Sequence, residues 1–359
     1  MSTRVIAIVN QKGGCGKTTT AVNLAGSLAN DGARVLVVDL DPQAHATLGL
    51  GIDPEQLDEN LYEVLAEDDG AERLAEVIVP VAEGLHVAPS GIVLSALEQK
   101  LAQERAEART ERLSRALDSL DGDYDFVLID CPPNVGLLTF NALRAAGEAI
   151  IPLETSHFAL HGVSKVMETI ALLGERVGRT PSVRVLATLY DGRTRFARET
   201  LAEIRSRFGD LCFDTVIRGC VRLREAARRG LPIGSTASRS NGAVDYAALA
   251  AEIAAGDAGR AELGVSSAAG LREVVVEYRD PRAEDVRIAG DFNGWVPDRG
   301  VESTTASEGS TRVWRKVLHL APGTYEYRYV VDGEWRADPR NPEQVATQVG
   351  PPNSLLVVR

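Results

Sequence analysis

The chain has 359 residues, 44% of them hydrophobic and 25% charged, and a formal net charge of −12. It is too long for one ordinary core and too acidic for a uniformly basic nucleic-acid coat, so two domains and at most a local basic patch are expected. Four cysteines without a CxxC pair argue against a disulfide framework or a zinc site, and no apolar run is long enough to span a bilayer.

The first element is the apolar strand Val5-Ile6-Ala7-Ile8-Val9, followed by Lys12-Gly13-Gly14-Cys15-Gly16-Lys17-Thr18-Thr19 and a helix over Thr18–Asn30. Glycines without Cβ atoms let backbone N–H groups turn inward around phosphate oxygens, and the helix N-terminus adds partial positive charge. Lys17 is placed to reach the β- and γ-phosphates, and Thr18 supplies a hydroxyl of the kind that ligates Mg²⁺. The usual phosphate-loop pattern has a glycine where Gln11 stands, and here a second lysine, Lys12, opens the loop instead.

The next strand, Arg34–Asp39, ends in Asp39-Leu40-Asp41-Pro42, where two carboxylates can be held near a metal and an attacking water. Residues 53–83 read as surface helices, Leu85–Ala88 as a strand leading into the turn Pro89-Ser90, and Leu94–Leu120 as one long amphipathic helix. Tyr124–Asp130 is another buried strand ending in an acid; Asp130 can hold Mg²⁺ through water, and Pro132-Pro133 stiffens the loop behind it. Further strands follow at Ala149–Leu153 and Val183–Leu189, separated by a helix over His157–Glu175. His157 and His161 have metal-pair spacing but no Glu in the required place, so a surface or packing role is expected for them. Strands alternating with helices, and a phosphate loop at the first turn, mean a doubly wound parallel α/β sheet.

Arg184–Arg229 is locally basic. Arg193, Arg195, Arg218, Arg222 and Arg224 either span a DNA backbone without reading bases or form a solvated face. An alanine-rich helix, Tyr246–Ala255, closes a first domain over residues 1–255; Gly256–Gly270 reads as flexible linker. From Leu271 to Arg359, short strands with turn signals at Asp291–Gly294, Pro322-Gly323 and Asp332-Gly333 indicate a β-sandwich.

On these residues the first domain resembles the ParA/MinD (Soj-like) ATPases with a deviant Walker A loop. The resemblance implies ATP and Mg²⁺ as cofactors, with nucleotide held by Lys12–Thr19 and metal by Thr18, Asp39 and Asp130. It implies Lys12, Lys17 and Asp41 as catalytic residues: Lys12 would cross a nucleotide-sandwich homodimer, and Asp41 would orient the hydrolytic water. It further implies nonspecific double-stranded DNA and a ParB-like activator as partners, and a cytoplasmic, nucleoid-associated protein; the Tyr246–Ala255 helix lacks the basic, bulky amphipathic tail by which MinD-like members hold a membrane, so no membrane binding is expected. The chain departs from that family at Arg218-Gly219-Cys220, where Pro-Arg-Asn is usual, and at Arg224, where Ser is usual.

Residues 271–359 resemble the immunoglobulin-like early-set sandwich that serves as the glycogen-binding module of AMP-activated kinase β subunits. That resemblance implies α-glucan contact through Trp295, Trp335, Arg328 and Asn353. The alternative is that the tryptophans pack the sandwich and the module binds protein.

Overall fold

Short apolar runs without alternation need cover on both faces, and the first part of the chain supplies it. The computed structural model describes residues 3–263 and 272–358, apart from 68–69, 103, 121, 135, 156–180, 294, 296, 299–300, 309–310, 321–322 and 346–351. It divides into two compact units, Met1–Ala258 and Gly259–Arg359.

In the first unit β1 (Arg4–Ile8), β2 (Val35–Asp39), β4 (Leu85–Ala88), β5 (Phe126–Asp130), β6 (Glu148–Glu154) and β7 (Ser182–Thr188) form a parallel sheet. β3 (Val79–Ala82) pairs antiparallel with β4, and the strand order is β3-β4-β2-β5-β1-β6-β7. Alternate residues of one strand enter opposite cores. Ala7, Leu36, Val38 and Ile129 face one side, and Ile6, Ile8, Val35, Val37 and Leu128 face the other. The first side is covered by α3 (Leu61–Ala66), α4 (Leu137–Ala145) and α5 (Arg195–Phe208). The second is covered by α1 (Lys17–Asn30), α2 (His45–Gly49), α6 (Val221–Arg228) and α7 (Asn241–Leu263). Each fully buried Val, Leu or Ile in these layers stabilises the fold by about 1.5–3 kcal/mol.

Register decides where the site lies. Ile8 and Asp39 both stand opposite Asp130, so β1, β2 and β5 end level with one another. The phosphate loop and both strand-end acids therefore emerge together at the carboxyl ends of the central strands, the place where α/β sheets bind ligands.

Three expectations need correction. Leu94–Leu120 is broken into helical pieces at Ile92–Ala96, Leu97–Lys100, Ala106–Thr110 and Arg112–Asp118. Leu94, Leu97, Leu101, Leu113, Leu117 and Leu120 are nevertheless all buried in one core, because periodicity reports the buried face and not the continuity of the backbone. Residues 53–83 contain the edge strand β3 besides short helices. α7 runs to Leu263, through the first part of the stretch expected to be linker. The helix expected over His157–Glu175, with both its histidines, lies outside the described residues. No helix among the described residues is long and apolar enough to cross a membrane.

The second unit is the expected β-sandwich. One sheet has the order β10 (Glu302–Glu308), β11 (Thr311–Leu320), β8 (Arg272–Arg279). The other has β13 (Glu334–Arg336), β12 (Gly323–Val331), β15 (Asn353–Val358) and β14 (Gln344–Val345), with β9 (Val286–Gly290) also paired to β12. Between them lie Tyr278, Ile288, Leu318, Tyr327 and Tyr329, the Tyr278 and Tyr329 rings 4.8 Å apart. Lys316, 1% exposed, is paired with Asp298 at 2.5 Å and with Ser303 at 2.8 Å.

Candidate functional site

The loop leaves β1 through Asn10, which is buried and uses both ends of its amide. Asn10 Oδ1 accepts from the Lys12 amide at 3.0 Å, and Nδ2 donates to the Pro152 carbonyl at 2.7 Å. From the far side Thr188 Oγ1 donates to the Cys15 carbonyl at 2.7 Å. Gly14 and Gly16 have φ of 76° and 95°, left-handed values that side chains resist, and Gly16 directly precedes α1. A Cβ added at Gly13 or Gly14 would meet nothing within 4 Å, so the loop encloses open space. Lys17 is 7% exposed, its Nζ donating to the Lys12 carbonyl at 3.3 Å. Thr18 and Thr19 occupy the first turn of α1, which carries no acidic residue to offset the helix dipole. Burial pushes the Cys15 and Cys131 thiols above their ordinary values, so both pack as small apolar residues.

The acids differ in what holds them. Asp39 is fully buried; its Oδ1 accepts from the Asp41 amide at 3.1 Å, and its Oδ2 accepts from the Thr47 amide and hydroxyl at 2.8 and 2.7 Å. Burial pushes its carboxyl up to about 6 despite those hydrogen bonds. Asp130 is also fully buried, and neither of its oxygens makes a well-formed hydrogen bond, although the Thr18 hydroxyl is close enough to ease its charge. Burial, and next the Asp39 charge, push Asp130 well above the ordinary carboxylate range. Two adjacent buried carboxylates, one of them orphaned beside a threonine hydroxyl, suit a divalent cation with oxygen ligands. Asp130 and Thr18 fit that ion directly, whereas Asp39 is already committed to shaping the turn after β2. Asp41 lies at that turn, and beside it opens a cavity of ≈ 400 Å³ whose lining includes Gln43, Glu98, Pro133 and Asn134. Lys12 Nζ lies 3.1 Å from Glu154 Oε2 at the end of β6, within the same chain.

The five arginines do not form one group. Arg222 and Arg224 lie on the exposed face of α6, Arg193 in the turn before α5 and Arg195 at its first position. Arg193 forks onto Asp191 at 2.8 Å, Arg195 meets Glu199 at 2.6 Å and Arg222 meets Glu225 at 2.7 Å, all exposed pairs of the weak kind. Arg218 is different. Its guanidinium and its main-chain amide all donate to Asp245, which is 7% exposed on α7, so it staples the 217–220 loop to that helix.

In the sandwich the four sugar candidates share one face. Trp335 stands opposite Val330, whose neighbour two residues back on the same face of β12 is Arg328. Asn353, on β15, donates from Nδ2 to Glu326 Oε2 at 2.7 Å, and Glu326 lies on that same face. The Trp295 and Trp335 rings are 6.2 Å apart, and Trp295 Nε1 donates to Asp291 at 3.0 Å. Sequence reasoning missed Asn10, Thr47, Ser90 and Thr188, which hold the loop and the acids. Asn10 alone left a signal, as a polar residue ending an apolar run.

Strand, glycine loop and helix, with two level acids on the neighbouring strands, define a P-loop nucleotide-binding domain. Residues 3–182 match the family model described as an AAA domain, and residues 272–359 match the glycogen recognition site of AMP-activated protein kinase. The sporulation initiation inhibitor protein Soj of Bacillus subtilis is 41% identical over 253 residues, covering 70% of this chain and 98% of Soj. The chromosome partitioning protein ParA of Myxococcus xanthus is 39% identical over 254 residues, covering 70% of this chain and 87% of that protein. Among solved structures, cobyrinic acid a,c-diamide synthase from Mycobacterium smegmatis with bound ADP and magnesium superposes with a TM-score of 0.62 at 35% identity, covering 72% of this chain and 97% of that one. The chain belongs to the ParA/Soj family of P-loop ATPases.

Proposed function

We propose that the chain binds Mg²⁺-ATP in the Lys12–Thr19 loop, dimerises face to face, binds DNA without sequence preference and hydrolyses ATP slowly to position DNA or protein cargo. The observation that carries this is the convergence of Lys12, Lys17, Asp41 and the buried pair Asp39 and Asp130 at the carboxyl ends of β1, β2 and β5. Asp130 and Thr18 would hold the metal, which when bound offsets phosphate charge and polarises the γ-phosphoryl group. Lys17 and the inward amides bind the phosphates, and Asp41 holds the water. Lys12 completes the partner's site after leaving Glu154. The DNA contacts would come from two separate places, Arg222 and Arg224 on α6 and Arg193 and Arg195 before and at the start of α5, while Arg218 serves as a staple. A ParB-like activator sets the hydrolysis rate in a cytoplasmic, nucleoid-associated cycle, and the sandwich selects or tethers cargo.

The test is duplex binding by the Asp41→Ala variant with ATP or ADP across a salt series. Binding that needs ATP, weakens with salt and is lost on Arg222→Ala upholds the proposal; ATP dimers that ignore DNA refute its DNA arm. A second reading has the sandwich recruit the ATPase to α-glucan without DNA. The shared face of Trp295, Trp335, Arg328 and Asn353 favours it, and retention on glycogen that is independent of ATP and lost in Trp335→Ala would establish it.

A further inference from the structure

The turn Pro89-Ser90 at the end of β4 is remote in sequence from every phosphate motif, yet Ser90 is fully buried against the turn after β2. Its hydroxyl donates to the Asp41 carbonyl at 2.8 Å, and its amide donates to Thr47 Oγ1 at 3.0 Å. Thr47 Oγ1 donates in turn to Asp39 Oδ2 at 2.7 Å, and Asp39 Oδ1 accepts from the Asp41 amide at 3.1 Å. The bonds close a ring, Asp39 to Asp41 to Ser90 to Thr47 and back. Asp39, Thr47 and Ser90 are 0% exposed and Asp41 is 8% exposed. The Thr47 hydroxyl both gives and receives in this ring, which valine of the same shape cannot do. The Asp41 carbonyl also accepts from the Ala44 amide at 2.8 Å, so the peptide groups on both sides of its Cα are fixed. Its side chain is fixed in part as well, Oδ1 accepting from the Gln43 amide at 3.0 Å.

We propose that Ser90 and Thr47 are positioning residues for ATP hydrolysis, which hold the Asp41 carboxylate at the hydrolytic water through the main chain. The inference rests on the reading of Asp41 as the water-orienting residue. The ring acts on turnover rather than on nucleotide affinity, because its bonds fix the turn after β2 while the phosphates are bound by the loop after β1. A misplacement of about 1 Å at a reacting group costs on the order of 100-fold in rate.

The experiment measures steady-state ATP hydrolysis, ATP affinity with a fluorescent analogue, and thermal melting for the full chain and for Ser90→Ala, Thr47→Val, Thr47→Ser and Asp41→Ala. Ser90→Ala and Thr47→Val are expected to lose roughly 10- to 100-fold in kcat while KM and analogue affinity stay within about threefold, and Thr47→Ser to recover most of the loss. Parental kcat in both Ser90→Ala and Thr47→Val, with Asp41→Ala inactive, overturns this inference and leaves the reading of Asp41 standing. Parental turnover by Asp41→Ala overturns both. Equal impairment of Thr47→Ser and Thr47→Val, or a rise in KM that matches the fall in kcat, also overturns it, since either means a collapsed site. If Thr47→Val fails to fold, Ser90→Ala decides alone by the same split between kcat and KM.

Discussion

Replacing Arg218 by alanine separates a structural arginine from a DNA-contacting one. Asp245 is 7% exposed and accepts from the Arg218 Nε at 3.0 and 3.1 Å, from an outer guanidinium nitrogen at 2.6 Å, and from the Arg218 amide at 2.9 Å. Removing one partner of a fully buried ion pair costs about 3–5 kcal/mol. The Arg218 side chain is 43% exposed, so water fills part of its place, and the main-chain donor remains. The expected loss is therefore about 2 kcal/mol. In a unit of this size that lowers the melting temperature by roughly 4–8 °C, followed by far-ultraviolet circular dichroism. Tryptophan fluorescence does not report on it, because Trp295, Trp314 and Trp335 all lie in the second unit. Arg222→Ala, which breaks an exposed pair, is expected to move the same transition by about 1 °C or less. In DNA titrations the order reverses: Arg222→Ala lowers the salt slope by about one unit, and Arg218→Ala leaves it unchanged. Equal melting of the two variants, or a lowered salt slope in Arg218→Ala, refutes the assignment of Arg218 as a staple.

Lys316→Met takes the cation from the Asp298 carboxylate, which keeps the Ile288 amide and the Ser303 hydroxyl as donors, and is expected to cost the sandwich about 2 kcal/mol, read by tryptophan fluorescence on heating; adding Asp298→Asn should return part of it. Thr188→Val removes the hydroxyl that holds the Cys15 carbonyl and is expected to weaken ATP binding about fivefold in a nucleotide titration, with the melting temperature nearly kept. Hydrogen bonds from Arg315 and then Arg279 hold the Glu277 carboxyl down to about 2. A folded-state value below the unfolded one means that this contribution is complete above the unfolded value near 4.5 and is lost as pH falls toward 2. Sandwich melting should thus fall less steeply between pH 5 and pH 3 in Glu277→Gln, on the order of a few degrees at most for a group that water still reaches in part.

The strands were legible because a sheet buried on both faces demands unbroken apolar runs, and no surface feature of this chain imitates Val35-Leu-Val-Val-Asp39 or Phe126-Val-Leu-Ile-Asp130. The phosphate loop was legible for the same local reason, since its glycines and lysines are consecutive. What stayed hidden was joined only by folding. Ser90 meets Asp41, and Thr188 meets Cys15, across tertiary contacts that leave no spacing in the sequence. Arg218 looked like its neighbours in charge, and only Asp245 on α7 distinguishes it. In the sandwich, β10 leaves no strand signal in the sequence because Glu302–Glu308 is a polar sheet edge without an apolar face.

The level ending of β1, β2 and β5 has a consequence for how this chain can vary. A residue inserted inside β2 or β5 would turn the terminal aspartate to the other face of the sheet and exchange the two cores, so no loop could absorb it. A residue inserted in the largely exposed stretch between Ile52 and Glu59 only lengthens the path that returns to the sheet. Length is therefore free where the chain crosses the surface and fixed to the residue where it approaches the nucleotide. The strands act as rulers that measure out the active site.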